Sequence, residues 1–184
     1  MEQPDEKYIV LKFSQLIQYG RSIVTEYKVR EAALRDLPRL KEIIDASFPR
    51  FFRFFASHSV SDLKEPVLVS EVEGTVAGFV KLIEFNVRMV KYGCILWIAV
   101  HPTYRRREVA LGLTNVGVGF LKERGVQAIF ASTQRRNNGA LATLSKAGFE
   151  RMDFSGVWRL FGWRIFEFYR DIWFAPTEIV LIHH

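Results

Sequence analysis

The chain has 184 residues, 49% of them hydrophobic and 25% charged, with a formal net charge of +6. This length and apolar content suit one globular domain and exclude a disordered tail, while the positive balance favours anionic partners in general: nucleic acid, a phosphate-rich cofactor or an anionic membrane surface. A single cysteine, Cys94, excludes an intrachain disulfide, and with four histidines there is no zinc-type spacing, so no metal is expected.

The opening "MEQPDEKYIV" is acidic and lacks a basic stretch followed by a long apolar core. No secretory signal is expected, and the protein is expected to be cytoplasmic. Residues 1–24 read as an N-terminal extension: 1–7 disordered, then "YIVLKFSQLIQYG" from Tyr8 as a short amphipathic helix ending at Gly20. "EYKVREAA", 26–33, alternates as a strand does. "RDLPRLKEIIDASF" follows with Leu37, Leu40, Ile44 and Phe48 at helical spacing, Asp36 as N-cap, and Pro38 in the first turn, where its missing N–H costs nothing. In "FPRFFRFFASH", 48–58, five phenylalanines enclose two arginines. It reads as a helix or loop packing aromatics on the core; a hydrophobic substrate wall, a homodimer face or a membrane-touching segment are the sharper readings.

"VLVSEVEGTVAGFVKLIEF", 67–85, reads as a hairpin turning at Gly74. "GCILWIAV", 93–100, is a nearly continuous apolar run, as a central buried strand requires, and His101-Pro102 ends it. Cys94 within it reads as a buried, inert thiol. The run is far too short to span a bilayer, so no membrane span is expected. From 108 to 124 the pattern is helical, with Val109, Leu113, Val116 and Phe120 on one face. Gly112, Gly117 and Gly119 inside it imply close packing of helix on sheet. "VQAIFAST", 126–133, is another buried strand, and "NNGALATLSKAG" a short helix with Asn137 or Asn138 as N-cap and Gly148 as its close. "FERMDFSGVWRLFG" begins a further strand, and "WRIFEFYRDIWFAPTEIVLIHH" is aromatic and ends in the strand "EIVLI". His183 and His184 are given no function. Without repeats or a Pro/Gly/Ser linker, residues 25–184 read as a single mixed α/β domain.

The chemistry concentrates in "LWIAVHPTYRRREVALGL". A buried strand ends, a turn follows, and a helix begins whose positive end and unpaired N–H groups make an anion site from backbone alone. Arg105, Arg106 and Arg107 add donors suited to phosphate oxygens. No nucleophilic triad, Walker loop or dinucleotide fingerprint is present.

The segment "VHPTYRRREVA" resembles the acetyl-CoA loop of the GNAT superfamily of N-acetyltransferases. That loop runs Arg or Gln, two residues, Gly, one residue, then Gly or Ala; Arg105 fills the first position and Ala110 the last. About thirty residues on, Asn137, Ala140, Gly148 and Phe149 match the family's next motif in register. "YKVREAALRDLPRLKEIIDASF" also looks like the family's first strand and helix, so the resemblance covers about residues 25–155. It implies a GNAT-like α/β fold: a central, mixed but mostly antiparallel twisted sheet of about six or seven strands flanked by helices.

The resemblance also implies roles by position. Acetyl-CoA would be the co-substrate. The backbone of Ile98, Ala99 and Val100 would pair with the pantetheine arm as an added strand. The N–H groups of Arg106, Arg107, Glu108, Val109 and Ala110, with Arg105 beside them, would hold the pyrophosphate. Asn137 or Asn138 would sit near the thioester or pantetheine. An amine of a small molecule or protein would attack the thioester directly, and the aromatic segments "FPRFFRFF" and "GWRIFEFYRDIWF" would flank that acceptor. With the arginines fitting a cofactor site, no nucleic acid partner is expected. Three positions depart from the pattern: Glu108 stands at the loop's glycine, Leu144 where many members carry an acidic tyrosine, and Trp97 where some carry a carboxylate. Catalytic residues therefore stay unassigned, with Glu71 and Glu84 as candidate bases, Tyr104 and Tyr169 as candidate acids, and His101 as a turn residue. The alternative function is a degenerate GNAT-fold binding or regulatory module.

Overall fold

The computed structural model describes residues 9–15, 23–175 and 177–184. Strands β1 (Ile9–Gln15), β2 (Ile23–Glu31), β3 (Val67–Val72), β4 (Thr75–Val87), β5 (Val90–Val100), β6 (Ile129–Gln134), β7 (Glu150–Met152) and β8 (Glu178–His183) form one sheet in the order β1-β2-β3-β4-β5-β6-β8-β7. Helices are α1 (Leu37–Ser47), α2 (Arg50–Ser61), α3 (Val109–Glu123), α4 (Asn138–Lys146), α5 (Phe154–Phe161) and α6 (Ile165–Asp171). This is the expected mixed α/β architecture, with one strand, β1, contributed by the extension.

That strand corrects a reading. Residues 9–15, expected to be helical, pair antiparallel with β2 from Ile9↔Val29 to Gln15↔Ile23. Period alone left helix and strand close for so short an apolar run, and an open edge of β2 decided for the strand. The expected disorder of 1–7 and the helix end at Gly20 lie outside the described residues.

The chain divides into two compact units, one holding the described residues up to Lys81 plus Trp97–Leu113, the other Leu82–Leu96 plus Thr114–His184. In the first, β1, β2, β3 and β4 meander antiparallel. The β3–β4 link is a two-residue turn, and Glu73 and Gly74 both have positive φ (52° and 74°), the conformation that matches strand twist in tight hairpins. Leu40, Ile43 and Ile44 of α1 and Ala56 and Val60 of α2 pack on Val67, Val69, Val76, Phe79 and Ala99. Asp36 holds the expected N-cap position of α1, but its side chain is used elsewhere. Its carboxylate accepts from the Ala33 N–H at 2.8 Å and from both terminal nitrogens of Arg30 at 2.7 and 3.0 Å, and makes no side-chain cap on α1. It is a buried ion pair closing the short 3-10 turn before the helix. Buried Lys81 donates to the carbonyls of Asp62 and Glu65 at 2.7 and 3.1 Å, tying the segment after α2 to β4.

In the second unit β5 and β6 run parallel over Gly93↔Ile129, Cys94↔Phe130 and Ile95↔Ala131, and β8 pairs antiparallel with β6 and β7. The core is aromatic: Phe85, Tyr92, Phe130, Phe161 and Phe168 share one cluster with Cys94, and Phe161 stacks on Phe168 at 4.4 Å. Burial pushes the Cys94 thiol up, as an inert thiol requires. The segment from Phe149 begins with the expected strand, β7, but that strand is only three residues long and the chain goes on into α5 and α6. Val157, Phe161, Ile165, Phe168 and Ile172 are the buried residues there, and their steps of four, four, three and four are a helical stripe.

Candidate functional site

The site grows from the end of β5. Its parallel pairing with β6 covers only Gly93, Cys94 and Ile95, and the strand continues to Val100 beyond that pairing. Ile98 is half-buried; Ala99 and Val100 are buried. The chain then turns through a 3-10 turn, Pro102–Tyr104, held by the His101 ring, whose Nδ1 accepts from the Thr103 N–H at 3.4 Å. His101 is thus the turn residue expected of it.

Residues 105–108 connect this turn to α3. Arg105 folds back: its Nε donates to the Val100 carbonyl at 3.1 Å and its Nη2 to Ser47 Oγ at 3.3 Å, while Ser47 Oγ donates to the same carbonyl at 3.3 Å. Arg105 therefore braces the turn against the end of β5 and α1. Arg106 and Arg107 are exposed, and the Arg107 guanidinium lies over the Tyr104 ring at 5.6 Å. Arg106 and Glu108 both adopt positive φ, 62° and 58°. At Glu108 this is the backbone geometry glycine adopts most easily, at the position where the related loops carry glycine.

Val109 is the first residue of α3, and the Gly112 N–H bonds the Glu108 carbonyl at 3.0 Å. Helix geometry therefore directs the N–H groups of this first turn out of the helix's positive end. Gly112 lets this first turn approach β2: an added Cβ would lie 1.7 Å from Tyr27 Oη. Burial first, and then the charge of Glu108, raise the Tyr27 phenol. Close packing explains Gly112 as expected, whereas a Cβ on Gly119 would meet open space.

Ile98, Ala99, Val100 and 105–110 thus come together in the first unit. Asn137 and Asn138 belong to the second, both exposed at the start of α4. Asn137 is the N-cap, its Oδ1 accepting from the Ala140 N–H at 3.2 Å, and Gly148 closes the helix with φ 88°. Leu144 is buried in the same helix.

Tyr104 lies in the turn itself, under Arg107, while the other three candidate proton carriers are engaged elsewhere. Glu71 accepts from Arg30 at 2.6 Å; Glu84 pairs with Lys91 and Arg124. Tyr169 stacks on Phe174 at 4.5 Å, and burial raises its phenol. Trp97 packs edge-on against Phe48 and Phe52 of the aromatic segment, at 5.4 and 6.3 Å, and its buried Nε1 has no hydrogen-bond partner among the described residues. No cluster that could hold a metal occurs among the described residues. Ser47 and Tyr27, which shape the turn, carry no local sequence signal; both reach it across the fold.

A sheet whose fifth strand runs into an arginine-rich turn and a helix N-terminus is the arrangement on which comparisons with known proteins converge. The Acetyltransferase (GNAT) family profile matches residues 28–149, and the chain belongs to that family. No curated protein matches by sequence. Among solved structures, the ribosomal-protein-S18-alanine N-acetyltransferase of Escherichia coli is similar at 19% identity and TM-score 0.59, over 85% of this chain and 92% of that one. The PaiA N-acetyltransferase of Thermoplasma acidophilum, solved with coenzyme A, is similar at 15% identity and TM-score 0.61, over 85% and 97%. The GNAT domain of S. lividans PAT is similar at 15% identity and TM-score 0.65, over 94% and 96%. At these identities the likeness is one of fold.

Proposed function

We propose that residues 25–184 act as one N-acetyltransferase domain that moves the acetyl group of acetyl-CoA to a primary amine of a small molecule or protein. The observation that carries this reading is the turn 105–110. Its backbone is left-handed at Glu108, as at a glycine, and leads directly into the N-terminus of α3. Backbone N–H groups from Arg106 to Ala110 would hold the pyrophosphate, with the exposed Arg106 and Arg107 adding charge and Arg105 fixing the turn. The stretch Ile98, Ala99 and Val100, which outruns the β5–β6 pairing, would receive the pantetheine arm as an added strand. The Val100 carbonyl is already taken by Arg105 and Ser47, so that pairing would use other backbone groups of the stretch. From the motif alone, Asn137 or Asn138 would contribute near the thioester.

In the reaction, the amine lone pair attacks the thioester carbonyl, the tetrahedral oxyanion collapses, and the C–S bond breaks. The amine proton is lost to a base or to water, and coenzyme A leaves as a thiolate whose modest basicity lets it depart unassisted. No metal is needed. A second reading, a binding or regulatory module with weak or no catalysis, is favoured by the ion pairs that occupy Glu71 and Glu84 and by the buried Leu144.

Thermal shift and calorimetry with acetyl-CoA test the first step. Saturable stabilisation at sub-millimolar ligand is expected, and its absence would sink the transferase reading. Thioester consumption over a panel of amines and peptides then separates them: turnover supports the transferase, and binding without turnover on any acceptor supports the module.

A further inference from the structure

A second surface lies outside the family match, in the connection between β7 and β8. Strands β7 and β8 pair antiparallel, a geometry that a short turn could close. The chain instead spends residues 153–177 on α5, a 3-10 turn (Gly162–Arg164) and α6. Their inner stripe fills the aromatic core. Their outer face is also aromatic: Trp163 is 80% exposed, Phe166 73% and Phe154 63%, with Trp158 and Trp173 partly exposed beside them. Three of these rings touch in a row, Phe154 stacking on Trp158 and Trp158 meeting Trp163 edge-on at 5.0 Å. The β4–β5 turn adds Met89, 99% exposed, and Arg88, whose Nη2 lies 3.3 Å from where a Cβ on Gly162 would sit.

Arg88, Arg159, Arg164 and Arg170 are all exposed. Glu167 and Asp171 pair with Arg164 and Arg170, and exposed Asp153 caps α5 through the Gly156 N–H. Four arginines thus stand against three carboxylates, and the face keeps a small positive excess. A second copy would set arginines against arginines across a two-fold axis, which disfavours a self-complementary contact. Protruding tryptophan, phenylalanine and methionine interleaved with arginine is the composition of a helix face lying in a bilayer interface, rings at the headgroup–acyl boundary and guanidinium groups on the phosphates. No described helix is long and apolar enough to cross a membrane, so the contact would be peripheral.

We propose that the α5–α6 face, with the Arg88-Met89 turn, docks the protein on anionic phospholipid membranes. This inference is independent of the proposed catalytic reading. The test is flotation of the full chain with phosphatidylcholine vesicles, with and without about 30% phosphatidylglycerol, followed by the blue shift of tryptophan emission. Binding is expected on the anionic vesicles, weakened by salt. The double variant Trp163→Ala and Phe166→Ala, both exposed side chains whose loss leaves the core intact, is expected to cut the bound fraction about tenfold. Arg88→Gln with Arg159→Gln is expected to remove the preference for anionic lipid while circular dichroism stays unchanged. No binding to either vesicle, or binding that the aromatic variants leave unchanged, overturns the proposal. So does concentration-dependent self-association in light scattering that the same variants abolish, since the face would then be a contact between copies.

Discussion

Replacing Glu108 by glycine probes the acetyl-CoA turn most directly. Two effects work in the same direction. A non-glycine residue at φ 58° carries a backbone penalty of about 1 kcal/mol, partly offset in the glycine variant by roughly 0.5–1 kcal/mol of extra unfolded-chain entropy, so stability should change little. Binding should change more. A carboxylate about 6 Å from a pyrophosphate charge is repelled by about 0.7 kcal/mol in a water-like dielectric, and two such charges give about 1.4 kcal/mol. Allowing for screening by salt, Glu108→Gly should tighten coenzyme A binding about fivefold, measured by calorimetry at low and physiological ionic strength. Glu108→Gln separates the causes: it keeps the Cβ and removes the charge, so it should recover most of the gain. If both variants bind coenzyme A equally to or more weakly than the parent, the Glu108 carboxylate does not face the pyrophosphate and the turn assignment fails. If only the glycine variant tightens binding, backbone conformation and not charge limits the turn.

Gly112→Ala should destabilise the fold by about 1–3 kcal/mol, because its Cβ has no room beside the Tyr27 hydroxyl, and removing that hydroxyl in Tyr27→Phe/Gly112→Ala should recover part of the loss on chemical denaturation. Asp36→Asn leaves the buried Arg30 charge with Glu71 alone and should cost about 3–5 kcal/mol. Burial alone would raise the Asp36 carboxyl, but the hydrogen bonds from Arg30 and the Ala33 N–H outweigh it and hold the group below its ordinary value. Its contribution is therefore present above the unfolded value, about 3.9, and lost as pH falls through the lower folded value; denaturation midpoints of Asp36→Asn should show less of that acid loss than the parent.

The sequence by itself determined the parts whose signal is local. The β5 run from Gly93 to Val100 could only be a buried strand. Gly74 marked a tight turn, and Asn137 or Asn138 with Gly148 bracketed α4 because capping chemistry sits within a few residues of the end it caps; the structure chose Asn137. The order and spacing of Arg105, Ala110, Asn137, Gly148 and Phe149 also sufficed for the family. Tertiary structure decided what depends on distant partners. Residues 9–15 became strand because β2 offered an edge, and Asp36 became an ion-pair partner because Arg30 is buried beside it. The aromatic tail hid α5 and α6 because rings on both faces blur the period, leaving burial of Val157, Phe161, Ile165, Phe168 and Ile172 to reveal the inner side. Most of all, only the fold sets Glu108 in a left-handed turn, braced by Ser47 and Arg105 and packed beside Tyr27. A backbone dihedral at one residue is fixed there by contacts from across the chain, and no short window of sequence carries them.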